Sequence, residues 1–329
     1  MSKVIIAIHG LGNKPPSAQL ESWWKQSMLE GLKLIKKKID LPEFRFIYWA
    51  DVIYDKPLDD HISDKEDPLY LDEPYTPSPE NFIPEPQPVR KKVLDFIEEQ
   101  LDRIFLNEDL TVNFSGISDM IIHNYFKELE IYYSENCVDV NDASCQARET
   151  IRKRVADVIR GYKNDQIMLI GHSMGSIIAY DVLTYVVPEI EIDTFITVGA
   201  PLAMPVIIGK IASASNKAYT SDSKLKTPPG VKWRWYNFSD LQDKVALIYN
   251  LGKKFKRNTR RVKPEDYVVY NNYIINGAKN HHKSFGYLRT PEFSRVLSRF
   301  ARRKKMRTYD RIILNIKSFI RKIKNQIKY

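Results

Sequence analysis

The chain has 329 residues, of which 43% are hydrophobic, and this composition is ordinary for a globular protein with one large core or two modest ones. The formal net charge of +10 is concentrated near the end of the sequence, because residues 299–329 carry twelve Lys or Arg and one acid. We find no apolar run long enough for a membrane span or for the core of a signal peptide, so a cytoplasmic location is expected.

A short apolar run at residues 4–8 predicts a buried strand, which leads directly into a loop with the sequence H-G-L-G-N. Gly10 and Gly12 also match the start of a dinucleotide-binding fingerprint, but Pro15 stands where that fingerprint needs its third glycine. We therefore expect no nucleotide cofactor here. His9 is expected to brace the loop and to take no part in chemistry.

A second predicted strand at residues 44–49 is followed by an inserted segment, residues 51–146. Its first part, residues 51–88, holds eight of the 18 prolines and eleven Asp or Glu against two Lys, so it cannot form a helix. Apolar spacing then predicts two helices, over residues 89–105 and 117–126. Because they follow the carboxyl end of a strand, we expect a lid over the active site; a packing elaboration at the sheet edge is the open alternative.

The most informative stretch is residues 166–180, where an apolar run meets G-H-S-M-G and continues into an amphipathic pattern. This order predicts a strand, a sharp turn that carries Ser173, and a helix. Glycines beside the turn remove Cβ atoms that would collide there. Such a turn lifts the Ser173 hydroxyl clear of the sheet and directs the backbone N–H of Met174 toward an oxyanion.

A serine nucleophile needs a histidine base and an acid that orients the base. A predicted strand at residues 232–238 runs into a loop with two aspartates, Asp240 and Asp243, and either fits the place of the acid. Asp243 is favoured because it begins the turn sequence D-K-V-A. Both histidines beyond the nucleophile, His281 and His282, follow another predicted strand, at residues 267–275.

These motifs, with I-T-V-G-A-P-L at residues 196–202 and H-x-x-F-G-Y-L after the last predicted strand, resemble the α/β-hydrolase superfamily, within it the lipase and serine-esterase group. The resemblance covers residues 3–50 and 147–298. It implies an α/β fold with a mainly parallel sheet, helices on both faces and an inserted helical lid. Lys244 departs from the pattern, since proline is frequent at that place.

The resemblance also implies the roles of individual residues. Ser173 would be the nucleophile, His282 the general base and then acid, and Asp243 the residue that orients the imidazole. The oxyanion would be bound by two backbone N–H groups, those of Leu11 and Met174. The doubled histidine leaves His281 as the alternative base, and Asp240 stays the alternative acid.

The basic end of the sequence predicts a second structural unit after a hydrolase domain at residues 1–298. In residues 299–329, isoleucines recur at three- and four-residue steps with Lys and Arg on the other faces, a pattern typical of a basic amphipathic helix. Such a helix either lies on an anionic membrane surface or packs on its own domain or a partner. We expect no nucleic acid partner, and the oligomeric state stays open.

The sequence therefore predicts a serine hydrolase that cleaves a carboxylic ester, with an acyl lipid as the expected substrate, through an acyl-enzyme intermediate. A thioesterase or amidase with the same triad is an alternative. Another is a catalytically idle binding module recruited by its basic tail. The two cysteines, Cys137 and Cys145, fit neither a metal site nor a disulfide framework, so we expect free thiols and no metal or other cofactor.

Overall fold

The computed structural model describes residues 2–78, 147–213 and 225–303, together with Lys91, Leu129, Tyr132 and Tyr133. Ten strands lie in these parts of the chain: β1 (Lys3–Ile8), β2 (Glu43–Ile47), β3 (Gln166–His172), β4 (Ile192–Val198), β5 (Leu225–Lys226), β6 (Val231–Asp240), β7 (Phe255–Lys256), β8 (Pro264–Val269), β9 (Ile274–Ile275) and β10 (Ala278–Lys279). The main sheet has six strands in the order β2-β1-β3-β4-β6-β8, and every neighbouring pair is parallel.

Helices cover both faces of this sheet. They are α1 (Ser17–Leu34), α2 (Ala147–Gly161), α3 (Met174–Asp181), α4 (Pro205–Ser213), α5 (Leu251–Lys254), α6 (Ser284–Leu288) and α7 (Pro291–Arg302). Successive side chains of a strand point to opposite faces, so an all-apolar strand needs cover on both. In β1, Val4, Ile6 and Ile8 pack with α2 and α3, whereas Ile5 and Ala7 pack with α1, α6 and α7. The predicted α/β-hydrolase fold class is confirmed.

The strand order brings two loops together at one edge of the sheet. The chain leaves β1 for β2 on one side and later returns to form β3 on the other, so Ile8 lies opposite both Ile47 and Gly171. Ligand sites in open parallel sheets lie at such a reversal, beyond the carboxyl ends of the strands. The loops after β1 and β3, which contain the H-G-L-G-N and G-H-S-M-G motifs, therefore border one site.

The prediction of a strand at residues 267–275 is wrong in its bounds. Strand β8 begins at Pro264 and ends at Val269, and the chain then turns to form the antiparallel pair of β9 and β10. Asn271 causes this exit, because its backbone N–H donates to Asp240 and its side-chain Oδ1 accepts from the N–H of Tyr273. A local side-chain bond of this kind replaces the pairing that a strand would need.

The inserted segment is described only in part. Residues 53–78 contain no α-helix, as the proline content predicts, and after a short 3₁₀ turn, Ala50–Val52, they form turns, bends and irregular chain with one bridge between Asp59 and Tyr70. The two predicted lid helices, at residues 89–105 and 117–126, lie outside the described residues, and so do both cysteines.

The predicted boundary at residue 299 falls inside a helix. Helix α7 runs through it to Arg302, and Phe300 is 1% exposed in the core. Arg303 then packs 3.7 Å from the ring of Trp233 and pairs with Asp193. Residues 304–329 lie outside the described residues. Within the part of the chain that the structure describes, no helix has both the length and the apolar character needed to cross a bilayer.

Candidate active site

Ser173 occupies a strained turn between β3 and α3. Its backbone φ of 52° and ψ of −123° lie in a region that residues with a Cβ rarely adopt, as expected of a nucleophile elbow. The loop after β1 lies directly against this turn, because a Cβ on Gly10 would be 2.8 Å from the Ser173 Cβ. Only glycine at that position allows the first loop to approach the serine so closely.

Three of the predicted site residues form one hydrogen-bonded row. The Ser173 Oγ lies 2.9 Å from Nε2 of His282, and Nδ1 of His282 lies 2.9 Å from Oδ2 of Asp243. Because a carboxylate only accepts, Nδ1 carries the hydrogen, and the lone pair on Nε2 faces the serine hydroxyl. The imidazole is thus held in the tautomer that can take the serine proton.

The Asp243 carboxylate is buried and fully hydrogen-bonded. Its Oδ1 accepts from the backbone N–H groups of Val245 at 2.8 Å and Ala246 at 3.3 Å, and its Oδ2 accepts from the Tyr287 hydroxyl at 2.6 Å. Burial, and after it the charge of Asp243, raises the pKa of Tyr287 well above its ordinary value. Tyr287 therefore stays protonated and donates to the carboxylate.

The alternative residues form a second pair beside the first. Nδ1 of His281 lies 3.2 Å from Oδ2 of Asp240, and the same oxygen accepts from the backbone N–H of Asn271 at 2.6 Å. The two pairs are joined through Tyr287, whose hydroxyl also accepts from the backbone N–H of Asp240 at 2.9 Å. His281 therefore has a carboxylate partner of its own, and of the two histidines it is His282 that lies beside Ser173.

A third histidine, His172, supports the backbone of His282. Its Nε2 lies 2.7 Å from the His282 carbonyl oxygen, so this nitrogen donates, and the two rings are 4.9 Å apart. Burial, followed by the charge of His282, lowers the pKa of His172 well below its ordinary value. His172 consequently stays neutral, so no second cation lies beside the imidazolium that would form on His282.

Gly199 makes room for the contact between Asp243 and His282. It follows β4 with a φ of +55°, and a Cβ there would lie 2.9 Å from Oδ2 of Asp243 and 3.3 Å from Nδ1 of His282. Any larger residue at this place would both strain the backbone and press on the hydrogen bond.

His9 braces the first loop, as the sequence predicts. Its Nε2 accepts from the backbone N–H of Trp49 at 2.9 Å, so its Nδ1 is the nitrogen that donates, to the Gly10 carbonyl at 2.7 Å. In a trans peptide the carbonyl and the following N–H point in opposite directions. The Leu11 N–H is therefore directed away from His9. Burial, and next the charge of Lys14, lowers the pKa of His9 well below its ordinary value.

A cleft of about 870 Å³ opens beside His282 and the first loop. Apolar and aromatic side chains form much of its wall, among them Leu11, Trp23, Leu71 and Phe285. Charged groups also line it, including Lys14, Glu73 and Lys283. A cleft of this size and mixed lining is typical of a small-molecule site.

One group of potential metal ligands occurs among the described residues: Asp59, Asp60 and His61. Asp60 and His61 are exposed, Asp59 is at most half-buried, and none belongs to the row of Ser173, His282 and Asp243. Exposed acidic groups are common without an ion, so we assign no metal role to them.

Sequence reasoning missed four contributors to this site. Tyr287 and Gly199 stand in motifs that carried the resemblance, but only the folded chain shows which atoms they contact. His172 directly precedes Ser173 at the end of a buried strand, a position that indicates a buried histidine beside the site. Asn271 falls inside the strand predicted at residues 267–275, and its two bonds end that strand.

One comparison with known proteins bears on this arrangement. A family model described as the PGAP1-like alpha/beta domain matches residues 142–228, a span that contains β3, Ser173, α3 and β4 but neither Asp243 nor His282. No curated protein matches the chain. The matched family is of hydrolase type, and the parallel sheet agrees with it. The matched quarter of the chain and the parallel sheet are together consistent with the α/β-hydrolase superfamily.

Proposed function

We propose that the protein is a serine esterase that cleaves a carboxylic ester through an acyl-enzyme intermediate. The observation that carries the proposal is the continuous row from Ser173 Oγ through His282 to Asp243, with 2.9 Å at each step. Nucleophile, base and orienting acid in this geometry are the requirements of covalent acyl transfer.

In the first half of the reaction, Ser173 Oγ attacks the ester carbonyl carbon while its proton moves to Nε2 of His282. The negative charge that develops on the carbonyl oxygen is stabilised by the backbone N–H groups of Leu11 and Met174. The intermediate collapses when the alcohol leaves with the proton from His282, and the acyl group stays bonded to Ser173.

In the second half, a water molecule gives a proton to His282 and attacks the acyl carbon. The carbonyl oxygen again carries the negative charge, and the carboxylic acid leaves as the proton returns to Ser173 Oγ. Asp243 keeps the imidazole in one tautomer throughout and stabilises it when it is charged. The catalytic groups start and finish in the same protonation state.

The cleft supports an acyl lipid as the substrate class. Apolar walls that include Trp23, Leu71 and Phe285 suit a hydrocarbon chain, and the polar groups in the lining suit its head group. Hydrolysis of p-nitrophenyl esters of increasing chain length tests this proposal, with Ser173→Ala as control. We expect kcat/KM to rise with chain length and the variant to lose at least about 10³-fold in kcat. Equal rates for enzyme and variant would refute the esterase proposal.

A further inference from the structure

The acidic segment before the undescribed part of the insertion is bonded to the loop that presents His282. The Tyr273 hydroxyl donates to the Pro74 carbonyl and accepts from the backbone N–H of Thr76, and Arg289 donates to the Thr76 carbonyl at 2.9 Å. Arg289 is only 1% exposed, so this contact lies in the interior. Residues 73–78 are thereby fixed against the histidine loop.

Glu73 connects this segment to the two residues that flank the His281-His282 dipeptide. Its Oε1 accepts from the Asn280 side-chain amide at 2.7 Å, and its Oε2 pairs with the Lys283 ammonium. Asn280 and Lys283 stand on either side of the His281-His282 dipeptide. One carboxylate therefore clamps both ends of the short turn that carries the base.

The hydrogen bonds of Glu73 extend through the Asn280 amide to the backbone of His282. The other atom of the Asn280 amide, Oδ1, accepts from the N–H of His282 at 3.1 Å, so the amide is bonded at both ends and has one orientation. From the opposite side, Nδ2 of Asn271 donates to the carbonyls of His281 at 2.9 Å and Lys283 at 2.8 Å. Side chains thus set the place of this turn, which has no regular secondary structure of its own.

The ionisation of Glu73 agrees with this role. Burial alone would raise the pKa of its carboxyl, but the charge of Lys283 and the hydrogen bonds from Lys283 and Asn280 outweigh it, so the pKa is lowered. Glu73 is consequently a carboxylate at neutral pH, as both contacts require.

We infer that Glu73 is a positioning residue for His282, acting through the Asn280 amide and the Lys283 ammonium. This inference rests on the proposed function, because it assigns His282 the role of base. A misplacement of a catalytic group by about 1 Å costs up to about 10²-fold in rate. The acidic insertion therefore belongs to the support of the catalytic base as well as to the wall of the cleft.

The test compares Glu73→Ala with Glu66→Ala, a matched control in the same segment whose side chain is exposed. We measure kcat and KM on a short p-nitrophenyl ester, normalised to active sites titrated with a fluorophosphonate, below the melting temperature of each variant. Glu73→Ala should lower kcat at least about tenfold with KM changed less than about threefold, and Glu66→Ala should match the wild type. Glu73→Gln keeps an acceptor for Asn280 and should lose only about threefold.

A double-mutant cycle with Asn280→Ala separates positioning from a general loss of stability. If Glu73 acts in part through Asn280, the double variant should lose less than the product of the two single losses, because both substitutions break the bond between Glu73 and Asn280. Additive losses, or a per-site kcat of Glu73→Ala within twofold of the wild type, would overturn the inference. Should Glu73→Ala fail to fold, a wild-type kcat for Glu73→Gln overturns it equally.

The same experiment includes Ser173→Ala, so that the two proposals fail separately. If Ser173→Ala retains turnover, both the proposed function and the role of Glu73 are refuted. If Ser173→Ala is inactive and Glu73→Ala has the wild-type kcat, only the role of Glu73 is refuted.

Discussion

Replacing Asp243 with Asn tests the acid with almost no change in shape. In the variant, Oδ1 must keep the backbone N–H groups of Val245 and Ala246, because an amide NH₂ cannot accept them. The NH₂ group then takes the place of Oδ2, 2.9 Å from Nδ1 of His282. The Nδ1–H of His282 then faces a donor and keeps only Oδ1, which lies 3.0 Å away and already accepts from two backbone N–H groups. The tautomer with its hydrogen on Nε2, which cannot accept the serine proton, is therefore favoured.

We expect this change to lower kcat by about 10³ to 10⁴-fold, or about 4 to 5.5 kcal/mol of transition-state stabilisation. KM should change little, because Asp243 is buried at 1% exposure behind His282. The assay is steady-state hydrolysis of a short p-nitrophenyl ester, with circular dichroism and a thermal melt to confirm folding.

Asp240→Asn is the matched control for this experiment. Asp240 is equally buried and also accepts from a histidine and from backbone N–H groups, so a comparable loss of stability is expected. Its partner is His281, which leaves the tautomer of His282 unchanged, and kcat should stay within about tenfold of the wild type. An Asp240→Asn variant as damaged as Asp243→Asn, or a folded Asp243→Asn with more than a tenth of wild-type kcat, would refute the assignment.

Three further outcomes are expected. Tyr287→Phe leaves the buried N–H of Asp240 without its partner, so denaturant melts should show the free energy of unfolding lowered by about 1–3 kcal/mol. The kcat should fall about tenfold. An unchanged free energy of unfolding would contradict the hydrogen bond. Burial lowers the pKa of His9 and His172, so below about pH 6.5 the unfolded chain binds more protons than the folded protein. The free energy of unfolding should therefore fall there by up to about 1.4 kcal/mol per pH unit for each histidine. A constant free energy of unfolding between pH 7.5 and 5.5 would contradict this prediction. Deleting residues 304–329 keeps the Arg303 contacts and separates the two readings of the basic end. If it docks on anionic membranes, the deletion should preserve short-ester turnover and remove cosedimentation with anionic vesicles, which raised salt should weaken in part. If it packs on the domain, the full chain should not bind vesicles and the deletion should lower the melting temperature, an outcome that would contradict membrane docking.

The sequence predicted the parts of the site that contiguous residues encode. A strand, a glycine-flanked turn and a helix follow one another directly around Ser173, so the elbow is visible in the order of residues. The first loop is visible for the same reason, since β1 leads straight into it. The parallel sheet follows from strands that are apolar on both faces.

The features of the site that the sequence could not predict are contacts between residues far apart in the chain. Asp240 and Asp243 lie in one loop and both pair with a histidine, and only the folded turn decides which pair includes His282. The bond from Tyr287 to Asp243 spans 44 positions, and that from Glu73 to Asn280 spans 207. No local pattern signals such partners.

The central claim is that Ser173 becomes covalently acylated. Wild-type protein treated with a fluorophosphonate, or quenched with acid during turnover of a slow p-nitrophenyl ester, is digested and the modified peptide is sequenced by mass spectrometry. The proposed mechanism predicts one adduct, on the peptide that contains Ser173, and none in Ser173→Ala. An adduct on another residue, or ester turnover with no adduct on Ser173, would contradict it.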